Sequence, residues 1–504
     1  MPTRINSGAI FGIDGVSVEV ETDISPGLPN IIVVGLPDTA VQESRERVKS
    51  AIKNTNFRFP RGRVAINLAP ADLPKSGSWY DLPIALSILL EGGLVSAKRE
   101  LLHNSLLIGE LALDGRVRGV HGVLPITIFA AQKGFKTIFI PDDNAKEASF
   151  VHGIEILPLK NLGELVAHLE GHSILKPVEL SQASSALNLN GVTVDFADIA
   201  GLNVAKRALS IAAAGHHNIL FTGPPGSGKT MLARALQGIM PELSENEFLD
   251  TAKIYSIAGL LTKDGLLRTR PFRSPHHTSS RIALVGGGSY PKPGEVTLAH
   301  KGVLFLDEFP EFPRSSLESL RQPMEDGVIT VSRISGTFQF PAEFILVAAQ
   351  NPCPCGNLGN PNVACQCSDG QIRRYKARIS GPIMDRIDLV AEVPHQSYEQ
   401  LQANFGPSSR SIKEKIDAAK LKQKMRFKSD KTNSRISAAE IKKFCKLDDQ
   451  GEKIIQTAID KMHLSARGYH RVLKVARTIA DLDAADYIKP ENLSEALQYR
   501  FRDN

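Results

Sequence analysis

Several stretches of the chain carry side chains whose types and spacing could do chemistry. Gly223-Pro224-Pro225-Gly226-Ser227-Gly228-Lys229-Thr230 fits the pattern G-x-x-x-x-G-K-[ST] in full. Glycines in such a loop let backbone N–H groups close on phosphate oxygens, and the following helix adds partial positive charge at its start. ATP is the expected ligand, with Lys229 reaching its β- and γ-phosphates and Thr230 ligating Mg²⁺. Val303-Leu304-Phe305-Leu306-Asp307-Glu308 is an apolar run ending in two acids. Asp307 suits the water shell of that Mg²⁺, and Glu308 suits polarisation of an attacking water. Phe344 to Ala349 is another apolar run, and Asn351 just beyond it could orient the same water or touch the γ-phosphate. A lone Asn at a strand end is more often a turn former, so its role hangs on the other two motifs. Arg386 precedes the strand-like Leu389-Val390-Ala391, and Arg467 opens a helical stretch. Either guanidinium could stabilise charge on the γ-phosphate in the transition state. Taken singly, each is as readily a surface ion pair.

Four of the five cysteines fall as Cys353-x-Cys355 and Cys365-x-Cys367, with nine residues between the pairs, Gly356, Gly359 and Pro361 among them. Four thiolates at such spacing suit a tetrahedral, structural Zn²⁺ that braces a loop too short to fold alone. C-x-C is less common for zinc than C-x-x-C, so reduced free thiols remain the alternative. His276-His277 has no cysteine or acidic partner near in sequence and reads as a polar loop rather than a metal site.

These groups need strands and helices to hold them. Asn218 to Thr222, a buried-strand pattern, leads into the Gly loop, and Met231 to Leu236 leaves it as a helix. The two acids and the amide also end strands, where open α/β sheets bind ligands. The length of 504 residues predicts about three domains at roughly 100–200 residues each. Residues 1–171 mix β-branched runs such as Ile31-Ile32-Val33-Val34 with apolar helical stretches, an α+β texture. Residues 172–196 are polar and irregular and read as a linker. Residues 197–394 alternate strands and helices, with a Cys-rich insertion at 353–367, and 395–504 read as helical.

Composition narrows the function classes. Hydrophobic residues at 42% and charged residues at 23% exclude wholesale disorder. No run of about 18 apolar residues is present to span a bilayer. The start, Met1-Pro2-Thr3-Arg4, has no apolar signal core, and five cysteines make no disulfide scaffold, so a cytoplasmic protein is expected. The net charge is +6, yet Arg410 to Lys446 alone carries +9 and the remainder −3. That segment is either a solvated helix face or a surface that meets nucleic acid. Val328 to Phe340 reads as a β-hairpin with Arg333 near its tip, and Gly286 to Gly294 as a Gly-rich loop with Lys292. Both are candidates for sequence-independent contact with DNA.

In this order and spacing, the motifs at 223–230, 303–308, 351, 386 and 467 resemble an AAA+ ATPase. Arg270 to His277, Val285-Gly286-Gly287-Gly288, and Asn351-Pro352-Cys353-Pro354-Cys355-Gly356 resemble the magnesium-chelatase-like branch. Gly35-Leu36-Pro37 and Asn67 to Lys75 extend the likeness, to the YifB/ComM family, over essentially the whole chain. The resemblance implies an α/β fold: a P-loop AAA+ core with a helical C-terminal lid, preceded by an α+β Lon-protease-like domain. It implies Walker A roles for Lys229 and Thr230, Walker B for Asp307 and Glu308, and sensor 1 for Asn351. It makes Arg386 the trans-acting finger and Arg467 sensor 2, with Arg378 and Arg471 as neighbours that could take those roles. It further implies a hexameric, ATP-driven motor acting on single-stranded and branched DNA. Such a motor promotes branch migration, with recombination proteins as partners and natural transformation as a setting. The alternative is a magnesium-chelatase-like motor subunit acting on a protein or metal-insertion partner. Gly109 to Val117 resembles a strand of the Lon proteolytic fold. Trp79 stands where the Lon nucleophile aligns and Leu124 where its lysine aligns, so no proteolysis is implied unless Lys75, Ser76 and Ser78 form a rearranged dyad.

Overall fold

A computed structural model of the chain describes residues 2–180, 194–261, 269–288, 292–333, 336–360, 363–402 and 406–500. Most of the polar linker, at 181–193, lies outside the described residues. The chain forms two compact units. One gathers residues 1–188 with two later segments, 245–268 and 330–339, and the other holds 189–244, 269–329 and 340–504.

The first unit contains β1 (Thr3–Phe11), β2 (Asp14–Ser25), β3 (Asn30–Val34), β4 (Arg63–Ala69), β5 (Ser105–Leu107), β6 (Glu110–Leu111), β7 (Val117–Arg118), β8 (Thr137–Pro141) and β9 (Glu155–Leu159). A mixed sheet runs in the order β3-β4-β2-β1-β5-β8-β9, and β6 pairs with β7. Gly12, at φ +67°, turns β1 into β2, and the register that follows sets Ile5 opposite Val20 and Ser7 opposite Val18. Strand period then puts Ile5, Ala9, Val18 and Val20 on one buried face. The helix Asp81–Glu91 packs on that face with Leu82, Ala85, Leu86, Ile88 and Leu89, all at most 1% exposed. The later helix Glu245–Ala258 packs on Val123–Gln132, with Phe248 edge-on to Phe150 at 5.3 Å and Gly122 N donating to Ser256 O at 3.0 Å.

The second unit is built on β10 (Ile219–Thr222), β11 (Phe272–Arg273) and β12 (Val303–Leu306). After the ribbon β13 (Val328–Arg333) and β14 (Gly336–Pro341), whose tip at Ile334 and Ser335 lies outside the described residues, come β15 (Ile345–Gln350) and β16 (Leu389–Glu392). The parallel sheet has the order β11-β12-β15-β10-β16. Helices cover both faces, which is why Val303 to Leu306 and Ile345 to Ala349 are unbroken apolar runs. Ile416, Ala419, Val472, Val475, Ala476 and Ile479 of the C-terminal helices share one apolar cluster with Phe221, Leu232, Leu236 and Val347. Full burial of a side chain such as Leu236 or Ile479 stabilises by about 1.5–3 kcal/mol. A buried polar network crosses the same core. His217 bridges Asp388 at 3.2 Å and Thr478 Oγ1 at 2.8 Å, Asn433 Nδ2 donates to Asp481 at 2.8 Å, and Arg426 and Arg477 both donate to Asp481.

Candidate nucleotide-binding site

Parallel register aligns the strand ends. Thr222 of β10 pairs with Gln350 of β15, and Leu306 of β12 pairs with Ala348. The residues just beyond, 223–230, 307–308 and 351, therefore crowd one carboxyl edge of the sheet, at the point where the strand order reverses. The Gly loop closes tightly. Gly226 and Gly228 have φ of +75° and +94°, and a Cβ on Gly223 would sit 2.1 Å from Val393 O. The helix Lys229–Ile239 starts directly from this loop.

Lys229 is 8% exposed. Its Nζ donates to the carbonyls of Gly223 and Pro224, both at 2.7 Å, and to Asn351 Oδ1 at 3.3 Å. Burial lowers its pKa, opposed by the charge of Asp307. Thr230 Oγ1 donates to Asp307 Oδ2 at 3.0 Å, and Asp307 Oδ1 accepts from Glu308 N at 2.9 Å. A cavity of about 400 Å³ opens here, lined by residues 225–231, Asp307, Glu308 and Asn351. Thr230 and Asp307 offer paired oxygen ligands of the kind a hard cation such as Mg²⁺ takes, and the Gly loop at a helix start is the kind of backbone that could cradle phosphate.

Sequence alone reads His277 as part of a polar loop and gives it no role beside the acids. Its Nδ1 lies 2.8 Å from Glu308 Oε2, and its ring meets Phe312 edge-on at 6.4 Å. Two short helices and β12 separate His277 from Glu308 along the chain, so spacing held no signal of the pair. Glu308 itself has φ +50°, a left-handed backbone uncommon for a non-glycine residue.

The two arginines lie outside the cavity lining. Arg386 donates to Pro382 O at 2.7 Å and pairs with Glu325, while its Nε has no hydrogen-bond partner. Arg467 is exposed near the start of the helix Ala466–Leu482. Glu325 is held below the usual carboxylate range by its hydrogen bond from Arg386 and by the charges of Arg386, Arg467 and Arg321. Arg378 pairs with Glu311, and Arg471 is a buried strut on Ile387 O (2.9 Å) and Asp385 (3.2 Å).

The four cysteine sulfurs of 353, 355, 365 and 367 lie within 4.8 Å of one another, while Pro361 of the intervening loop is outside the described residues. Much of the basic segment is answered locally: Lys413 by Glu242 at 3.1 Å, Lys424 by Asp430 at 3.1 Å, Lys431 by Glu440 at 2.6 Å and Arg426 by Asp481. Of the two candidate DNA loops, residues 330–339 belong to the first unit, where Phe338 stacks on Phe11 at 4.6 Å. In the other loop Gly287 pairs with Lys292, and residues 289–291 are outside the described residues. In the first unit Lys75 is fully buried with Nζ on Pro70 O, Ser78 donates to Glu110, and Leu124 is fully buried. No helix among the described residues is long and apolar enough to cross a membrane.

Comparison with known proteins matches the chain along its length. Residues 195–401 match the family described as magnesium chelatase, subunit ChlI. Residues 20–144 match subunit ChlI of Mg-chelatase, and 406–500 match its C-terminal part. The competence protein ComM of Haemophilus influenzae is 45% identical over 98% of this chain and 97% of its own length. The uncharacterized protein YifB of Escherichia coli is 43% identical over 98% of this chain and 96% of its own. The magnesium-chelatase 67 kDa subunit of Chlorobaculum parvum is 26% identical over 39% of this chain and 26% of its own. With near full-length identity above two-fifths and a magnesium-chelatase match centred on the nucleotide cleft, the chain belongs to the YifB/ComM family of magnesium-chelatase-like AAA+ proteins.

Proposed function

We propose that the chain is an ATP-hydrolysing DNA motor that works as a homo-oligomeric, hexameric ring in the cytoplasm and promotes branch migration in homologous recombination. The observation that carries this reading is the cleft that joins Lys229 to Asn351 and Thr230 to Asp307 at one sheet edge. Lys229 exchanges its two carbonyl partners for phosphate oxygens of ATP. Thr230 and Asp307 are the residues that hold Mg²⁺, which when bound neutralises phosphate charge. Glu308, steadied by His277, takes the proton of the attacking water, and Asn351 orients that water. Arg386 acts on the γ-phosphate of a neighbouring subunit, and Arg467 acts within its own chain. The Lon-like first unit serves assembly or DNA handling, with Trp79 and Leu124 in place of a proteolytic dyad. The name of the Haemophilus relative, a competence protein, supports a setting in natural transformation. Single-stranded and branched DNA and recombination proteins are the partners this reading proposes.

A chelatase-like motor acting on a protein partner is the second reading, favoured by the match to the 67 kDa chelatase subunit. That relative covers 39% of this chain, against 98% for the competence protein, so the likeness to it is the more partial one. ATP turnover measured with and without single-stranded and branched DNA, across a salt series, separates the two. A DNA motor is stimulated and loses the stimulation as salt rises. A rate indifferent to DNA supports the chelatase-like reading. Glu308→Gln should retain bound ATP and stall hydrolysis. Turnover at the wild-type rate would show that another group activates the water.

A further inference from the structure

We infer that Cys353, Cys355, Cys365 and Cys367 hold one Zn²⁺, and that this ion fixes the nucleotide cleft by locking the turn that carries Asn351 against the Gly loop. The inference rests on the reading of that cleft as an ATP site and adds a metal-dependent layer to it.

The sulfur geometry carries the first half. Cys353 Sγ lies 3.4 Å from Cys355 Sγ and 3.6 Å from Cys365 Sγ, and the last two are 3.6 Å apart. All four sulfurs fall within 4.8 Å of one another. Ligands at a Zn–S distance of about 2.3 Å on a tetrahedron stand about 3.8 Å from each other. A disulfide needs about 2.0 Å, and none is formed among these cysteines. Leu358 N donates to Cys353 Sγ at 3.3 Å, the kind of outer hydrogen bond that steadies a metal-bound thiolate. Four thiols pass their protons to solvent as the soft, tetrahedral divalent ion binds, and nothing is oxidised.

Position carries the second half. Cys353 is fully buried two residues beyond Asn351, whose side chain accepts from Lys229. Gly356 lies between the two cysteine pairs at φ +79°, and a Cβ there would come within 2.6 Å of Pro225 Cδ. The cysteine loop therefore lies directly against the Gly loop. Tyr375, on the helix Asp369–Lys376 that follows the second pair, is buried beside the backbone of Asn351. One ion would thus hold a strand end, the phosphate loop and a helix in a single arrangement.

The test uses the full chain, purified under reducing conditions without chelator. Elemental analysis is paired with equilibrium binding of a fluorescent ATP analogue. The wild-type protein should carry about one zinc per chain. Cys353→Ser with Cys365→Ser should lose the zinc and bind the analogue about tenfold more weakly, because the cleft is no longer held in register. Cys355→His, which keeps a zinc ligand, should retain zinc and affinity, and Cys445→Ser should alter neither. Should the double variant not fold, wild-type protein stripped with a thiol-directed mercurial gives the same comparison, with the released zinc read by a chromogenic chelator. Wild-type protein without zinc overturns the metal site. Zinc whose removal leaves analogue binding unmoved overturns the coupling. Zinc-loaded wild-type protein that binds no analogue overturns the ATP reading, and the coupling with it.

Discussion

Lys229 and Lys75 are both buried lysines whose ammonium groups donate to backbone carbonyls, and burial lowers the pKa of each. Their surroundings differ. Lys229 rests on carbonyls of its own phosphate loop beside a cavity that also holds Asn351, Thr230 and Asp307. Lys75 is pinned to Pro70 O, and the nearby hydroxyl of Ser78 is already taken by Glu110. Burial and a shifted pKa mark both places, so neither alone marks a site. What distinguishes the first is a set of partners that an incoming anion can replace.

The sharpest way to break this comparison is to remove each ammonium. Lys229→Ala should lower ATP turnover by about 10³-fold, read by phosphate release, because phosphate charge is left unanswered. Lys75→Met should leave nucleotide affinity unchanged and cost about 1–3 kcal/mol of stability, read by denaturant unfolding, because the Pro70 carbonyl is orphaned. Equal losses of nucleotide binding would erase the distinction. Asp481→Asn should cost about 3–5 kcal/mol, read as a lowered melting temperature, since Arg426 and Arg477 would keep buried charge without a counterion. Within the cleft, His277→Ala should lower kcat about tenfold with KM little changed, because the imidazole holds Glu308, the proposed base, rather than the nucleotide. An unchanged kcat would reduce that pair to a surface contact.

An effect confined to stability concerns a carboxyl that repeats the Lys75 lesson. Burial raises the Glu147 pKa to about 7, against the hydrogen bond that Asn144 Nδ2 donates to it at 2.8 Å. The folded chain then binds a proton that the unfolded chain, with its ordinary value near 4.5, has released. Stability should therefore fall as pH rises from 4.5 to about 7. Glu147→Gln should flatten that slope in urea titrations and leave ATP turnover alone.

Legibility in the sequence followed locality. The Gly loop and the acids at 307–308 could be read because strand, turn and side chain are consecutive. Asn351 could be read only in company with them, since a single amide at a strand end has commoner uses. His277 could not, because its partner is 31 positions away and reaches it from another strand's end. The pairing of Arg386 with Glu325 joins residues 61 apart and belongs to no motif. The ribbon Val328 to Phe340 was legible as two strands from its alternation, and the pair β13–β14 forms there. That its residues 330–339 and the helix Glu245–Ala258 group with the first unit was not legible, for side-chain period records burial and not the identity of the surface that supplies it.

Glu325 answers Arg386 by direct contact and Arg467 and Arg321 by charge alone. A lone carboxylate in that position acts as an electrostatic placeholder. While it stays, the positive charge of Arg386 and Arg467 is muted. An anion of higher charge that displaced it would meet Arg386 directly and the other two charges only at a distance, so its hold would fade as ionic strength rises.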